Sequence, residues 1–297
     1  MVEFLKKIGV LLIGFFLIGN LMSFGSLWVL REGSFYKPSF LATSIKRNNF
    51  DYIVLGTSTG LTTLNTRHID ALTHKKGINL SVDDTSISSQ YLMLQHFVAQ
   101  GKTTKICVLA PSMVSYDTQD LNVNANDYRF LPYINRDYVS NYYKSFSSTE
   151  SVLLSGSRYV PLLGVSYYNA ELFFPSLLSL IKPERRNRFD AQGNYTYPNQ
   201  NMDSKLIKNR KEIHLKFKNE ALKKIKALCD SQGIQLICYL SPMQSRAVTA
   251  FPSTYTVINH TAVLNDVRYF YDDIHVNTSG RQIISERFAG DLRPFFN

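Results

Sequence analysis

The chain has 297 residues, 44% of them hydrophobic, and a formal net charge of +10. That is enough apolar material for one large domain, or one domain with a big insertion, and it excludes a disordered or low-complexity chain. Despite the charge, nucleic-acid binding is not expected, because no recognition motif is present and the chain opens on a membrane-type segment.

Residues 9 to 30, "GVLLIGFFLIGNLMSFGSLWVL", run for 22 residues without a charge. As a helix they are long enough to cross a hydrocarbon core of about 30 Å. Lys6 and Lys7 precede them, which favours an inner N-terminus and places everything from Arg31 onward outside. The rival reading is a cleaved secretory signal, with Leu11 to Ile18 as its apolar core and "SFG" at 23 to 25 as its cleavage site. An uncleaved anchor over residues 1–31 is preferred, since the apolar run continues past that site and Trp28 suits a membrane interface. Both readings export the rest of the chain.

Residues 32–50 read as a linker into a domain spanning 51–297. "DYIVLG" at 51 to 56 is a short apolar run ending in glycine, a buried strand. It runs into "LGTSTGL", where Gly56 and Gly60 flank Ser58. Small residues on both sides let the backbone turn sharply, leaving a hydroxyl exposed and nearby N–H groups free to face an oxyanion. On its own a serine in such a turn is usually only a turn. An amphipathic stretch comes next, around Leu64 to Leu72. "GINLSV" at 77 to 82 is a second strand, "SSQYLMLQHFVAQG" a helix stopped at Gly101, and "KICVLA" at 105 to 110 a third strand. Strands alternating with helices at this pitch imply crossovers and a parallel sheet.

From about 111 to 204 the pattern breaks into a stretch rich in Tyr and Phe, with recurring Pro, Asn and Ser, and reads as an insertion. Regularity returns with Ile213, Phe217, Ala221, Ile225 and Leu228, a 3.6-period stripe stopped at Gly233. Lysine and arginine crowd the segment from Lys205 to Lys226. That charge suits anionic lipid headgroups or an acidic polymer, and equally a solvated helix face. "IQLICYL" at 234 to 240 is the fourth strand, and "VLNDVRYF" at 263 to 270 is taken as a short fifth. Ser241, Gln244 and Arg246 leave the fourth strand at the same sheet end as Ser58; they are positioned either to meet substrate or to form a Ser-Pro turn.

"YDDIHVNTSG", 271 to 280, carries the base. A serine hydroxyl is a poor nucleophile until a base takes its proton, and that base needs an acid on its other nitrogen. Asp272 and His275, three apart in a turn before a capped C-terminal helix, can supply both, with Asp273 as an equally acidic neighbour. "NTS" at 277 to 279 is also a glycosylation acceptor sequence, and a glycan there would obstruct the cleft. The other histidines, His68, His74, His96, His214 and His260, lack metal-ligand spacing, so neither metal nor cofactor is expected. Cys107, Cys229 and Cys238, an odd number without C-x-x-C spacing, read as core residues.

"IVLGTS" early and "DDIHVNTSG" late, bracketing an alternating chain, resemble the SGNH (GDSL-like) hydrolase superfamily, and more closely its membrane-anchored exported branch. The likeness covers residues 51 to 292, with only those two blocks specific. It implies a flavodoxin-like three-layer α/β/α sandwich with a parallel sheet of about five strands, preceded by one transmembrane helix. It implies Ser58 as nucleophile, His275 as general base and Asp272 as its orienting acid. It also implies acyl transfer on O-acyl groups of an envelope polysaccharide, or their hydrolysis, beside a polytopic membrane O-acyltransferase on the outer side of a bacterial membrane. The sequence departs from the family pattern in two oxyanion blocks. Asp84 stands where a glycine is expected, and "APSMVS" replaces G-x-N-D, leaving Ser112 about in place and Asn124 and Asn126 further on. Thr59, Asp84 and Ser112 are then the candidate oxyanion positions, and losing one such donor typically costs about 2.7–4 kcal/mol. A non-catalytic envelope scaffold is the reading these departures favour.

Overall fold

The structure, a computed structural model, describes residues 1–296, and for 166–172 the backbone alone. The helices in chain order are α1 (Val2–Glu32), α2 (Lys37–Thr43), α3 (Ser58–Thr63), α4 (Thr66–Thr73), α5 (Ile87–Ala99), α6 (Asp137–Lys144), α7 (Thr149–Gly156), α8 (Leu162–Ile181), α9 (Glu220–Ser231) and α10 (Thr278–Leu292). The strands are β1 (Asn49–Gly56), β2 (Gly77–Asn79), β3 (Thr103–Ala110), β4 (Lys211–His214), β5 (Gln235–Leu240), β6 (Arg246–Ala250) and β7 (Thr256–Asn259). The chain divides into two compact units: a helical unit of Met1–Ser44 with Asp127–Asn187, and a sheet unit of Ile45–Asn126 with Arg188–Asn297.

In the sheet unit five parallel strands lie in the order β2-β1-β3-β5-β7. Central strands of a parallel sheet are covered on both faces, so their sequences are continuously apolar. β1 is buried from Tyr52 through Gly56, and β5 from Leu236 through Leu240. Tyr52, Val54, Ile106, Val108, Ile237 and Tyr239 point to one face, where Ile69 of α4 and Ile284, Phe288 and Leu292 of α10 pack on them. α5 also lies against β1 and β3, and α9 against β5. All three cysteines are free and buried. A hydrogen bond with Cys229, and then burial, pushes the Cys107 thiol up, while burial pushes that of Cys238 up to about 12.

Two elements differ from the sequence reading. The stripe from Ile213 is not one helix: 211–214 form β4, paired with β6, and α9 starts at Glu220. Between them the Asp117 carboxylate accepts the Lys216 and Lys218 N–H groups, and Phe217 takes a left-handed φ of 52° while stacking on Tyr116. Asn219 then caps α9 by accepting from Ala221 N–H. The fifth strand is also not 263–270. The sheet edge is the β-branched run of β7, and 267–269 make a single 3-10 turn capped by Asp266. By contrast, pairing along the second strand continues past β2, with Leu80 N–H to Val54 O at 2.8 Å and Val82 N–H to Gly56 O at 3.0 Å.

In the helical unit α1 and α8 run side by side in the same direction. A Cβ on Gly19 would touch Leu162, and Leu162 N–H donates to Asn20 Oδ1 at 3.2 Å. At the other end Ser34 N–H donates to Ser179 Oγ at 3.0 Å. From Val2 to Ile18 no side chain is buried, whereas Ser23, Leu27, Val29 and Leu30 are. This helix is long and apolar enough to span a membrane, which fits a single-pass anchor.

Candidate active site

The reactive end of a parallel sheet lies beyond the carboxyl ends of its strands, where loops are exposed. β1 ends at Gly56, Thr57 is extended, and Ser58 is the first residue of α3. The turn is pressed onto the end of β3: Thr57 N–H reaches Ala110 O at 3.3 Å and Thr59 Oγ1 donates to Pro111 O at 3.3 Å. A Cβ at Gly56 would lie 2.2 Å from Ala110 O, and one at Gly60 2.7 Å from it, so neither position accepts a side chain unless the backbone moves. The first-turn N–H groups of α3, those of Ser58 and Thr59 among them, have no carbonyl above them in the helix.

The second half of the site is the turn from Asp272 to His275. Asp272 Oδ1 accepts the N–H groups of Ile274 (2.9 Å) and His275 (2.8 Å), which folds the turn and leaves Oδ2 for the imidazole. His275 Nδ1 stands 2.8 Å from that Oδ2, and its Nε2 stands 2.8 Å from Ser58 Oγ. Both contacts are satisfied together when Nδ1 carries the proton, donates it to the carboxylate, and Nε2 accepts from the serine. Burial alone would raise the Asp272 carboxyl. The hydrogen bonds from the His275 ring and from the two N–H groups outweigh it and hold the carboxyl below its ordinary range. The His275 side chain is 12% exposed and that of Asp272 46%, so the imidazole is sheltered while the carboxylate keeps water contact.

The two adjacent aspartates divide the work. Asp273 turns away: its carboxylate accepts Ser245 N–H (3.1 Å) and Ser245 Oγ (2.7 Å), and its carbonyl accepts Gln244 N–H (2.9 Å). Gln244 Nε2 donates to Asp272 O at 2.8 Å. Gln244 therefore braces the histidine turn to the loop after β5, while Arg246 opens β6 and the Ser241 hydroxyl is buried. Asn277 is fully buried, with Oδ1 capping α10 through Gly280 N–H and Nδ2 donating to Arg268 O at 2.7 Å. Its amide is thus committed to the fold, not presented as a glycan acceptor.

The oxyanion candidates are placed less tightly. Ser112 leaves β3 two residues after Ala110, which pairs with Gly56. Asp84 has a left-handed φ of 50° in the turn beyond the second strand. Among the described residues neither hydrogen-bonds to Ser58, His275 or Asp272. Asn126 Nδ2 donates to Asp83 O at 2.7 Å, and Asn124 Nδ2 to Ser86 Oγ at 2.8 Å, so both amides hold the 83–89 segment.

Sequence reasoning did not single out Tyr197. Its ring stacks on Tyr271 at 4.3 Å and 9°, and its centroid lies 5.2 Å from that of His275. Burial raises its hydroxyl pKa. Thr278 Oγ1 donates to Tyr197 O, and Ser279 N–H to Asn199 Oδ1, fixing this segment beside the start of α10. The only sequence signal was "YTYPN" inside an aperiodic stretch. Among the described residues no group of three or more His, Cys, Asp or Glu is placed to hold a metal. Comparison of the sequence with protein-family models and with curated proteins gives no match.

Proposed function

We propose that the protein is an exported SGNH-type serine acyl-transfer enzyme with a flavodoxin-like three-layer fold, acting on O-acyl groups of a cell-envelope polysaccharide alongside a polytopic membrane O-acyltransferase. The reading is carried by one observation: Ser58 Oγ and His275 Nε2, 217 residues apart, are in hydrogen-bond contact at 2.8 Å while Nδ1 is held by Asp272. The strand order, with two strands on either side of β3 and Ser58 at the exit of β1, supports the fold part of the proposal.

In the first half-reaction Ser58 Oγ attacks the ester carbonyl as its proton passes to His275 Nε2, and the resulting imidazolium is held by Asp272. The developing oxyanion faces the first-turn N–H groups of α3, and Ser112 or Asp84 N–H is the candidate further donor. Collapse breaks the C–O bond, and His275 returns its proton to the departing alcohol. The acyl-serine is then attacked by a sugar hydroxyl or by water, whose proton takes the same route through His275. Hydrolysis, as in a carbohydrate esterase, differs only in that acceptor. The long apolar α1, which fits a single-pass anchor, favours a polymer at the membrane.

A fluorophosphonate probe tests the reading. Wild-type protein should label at Ser58, and Ser58→Ala and His275→Ala should both abolish labelling. Absence of any labelling in folded wild-type protein would leave the non-catalytic scaffold as the function. Incubation with an acetylated glycan then separates release of acetate from transfer to a second glycan.

A further inference from the structure

The anchor is too short where it stands alone. Between Lys7, the last charge before the apolar run, and Gly19, the first residue packed by the rest of the unit, α1 rises about 18 Å at 1.5 Å per residue. A hydrocarbon core measures about 30 Å. Residues 19–27 must supply the difference, and Trp28, half exposed and about 32 Å from Lys7, marks the far interface. Residues 19–27 lie within the stretch from Gly19 to Gly33 that α8 accompanies. α8 starts level with Gly19 and Asn20, where Leu162 N–H meets Asn20 Oδ1, and it ascends in parallel, so its start and the α7–α8 turn below it lie beneath the level of Trp28.

The composition of this end suits lipid. Tyr159 is 76% exposed, Val152 65% and Leu163 37%. After Arg158 the sequence carries no charge until Glu171, nine residues into α8 and about 14 Å higher, close to the Trp28 level. The charged groups at the turn are Arg158, paired with Asp137 at 3.0 Å, and Arg136 next to it. Long arginine stems carry guanidinium groups up to lipid phosphates while the backbone sits deeper, and a leaflet thins around such a site.

We propose that the α7–α8 turn, with Tyr159 and Leu163, is inserted in the membrane leaflet beside the outer half of α1, so that the protein holds the bilayer by a helix and a turn. The test uses the full-length chain in phosphatidylcholine–phosphatidylglycerol vesicles, without other proteins, carrying single environment-sensitive labels on Leu12→Cys, Tyr159→Cys, Leu163→Cys and Glu184→Cys. The native thiols are buried and leave the labelling selective. Doxyl lipids should remove most of the emission at positions 12, 159 and 163 and blue-shift it, while Glu184→Cys, beyond the far end of α8, responds only to aqueous iodide. If 159 and 163 behave like 184 while 12 is quenched by lipid, the insertion is refuted and α1 anchors alone. If 12 is also quenched only by iodide, the anchor itself fails and the inserted turn with it.

Discussion

Asp272 and Asp273 show how two chemically identical side chains acquire two functions through backbone direction alone. Asp272 spends one oxygen on the N–H groups of its own turn and the other on His275, whereas Asp273 is lashed to Ser245. Asp272→Asn keeps the size but offers the ring an amide, which favours the wrong tautomer, and fluorophosphonate labelling should slow by about 10²–10⁴. Asp273→Asn should leave the rate within a few fold and lower the denaturation midpoint, by about 1 kcal/mol of lost hydrogen bonding. The reverse ranking would show that the imidazole takes its orientation from the other side of the turn. At this scale the residues of the candidate site could be named in advance, because serine between glycines and D-x-x-H are local patterns whose possible chemistry can be stated from spacing. Tyr197 was not, because its closeness to His275 arises from a loop crossing to the start of α10, and no period in the chain announces that.

Among the elements, α4 carries a second carboxylate with the opposite behaviour. Asp70 accepts Tyr52 OH and Gly77 N–H at 2.9 Å each, and Gln192 Nε2 also at 2.9 Å, joining α4 to β1, β2 and the 190–194 loop. Burial nonetheless raises its pKa from 3.8 to about 6, the hydrogen bonds lowering it only in part. The folded state therefore binds this proton more tightly than the unfolded chain. Its contribution to stability is greatest below about pH 4, declines as the pH rises towards 6, and is flat above that. Asp70→Asn keeps acceptors for Tyr52 and Gly77 and removes the titration. Its melting temperature relative to wild type should rise between pH 4 and pH 6.5 and then level off; a difference constant across that range would place the ionisation elsewhere. The strands that sequence revealed, β1, β2, β3 and β5, are those whose residues are almost continuously buried. β4 and β7 escaped because they are four residues each and only partly buried, so no continuous apolar run marks them, and the start of α9 because a carboxylate latch on Lys216 and Lys218 overrode a helical stripe that propensity alone would extend.

At the level of the whole chain, residues 127–187 cluster with the N-terminal helix, and the aromatic stretch that carried no readable period supplies the surface on which residues 19–33 pack. Leu27, Val29 and Leu30 are core residues of that unit as well as members of an apolar anchor. A stripe that is apolar all round gives a sequence reader no sign of which side meets protein and which meets lipid. A protein starting at Ser34 should accordingly expose the α1-facing side of α8 and aggregate without detergent, measured by light scattering; a monodisperse truncated chain would mean that the contact is dispensable. Intact-mass measurement of exported protein bears on the same point, since cleavage after Gly25 would remove the Gly19 and Asn20 contacts with Leu162.

The Ser58 oxygen and the His275 nitrogen are separated by 217 positions along the polymer, with all five strands of the large sheet lying between their carriers or leading into them. A nascent or half-threaded chain thus holds no activated alcohol: it stays chemically inert until its C-terminal end has been delivered and has closed onto the first strand. For the exported acyl-transfer enzyme proposed above, the chemistry would be postponed by chain order itself, with no inhibitor or pro-segment needed to enforce the delay.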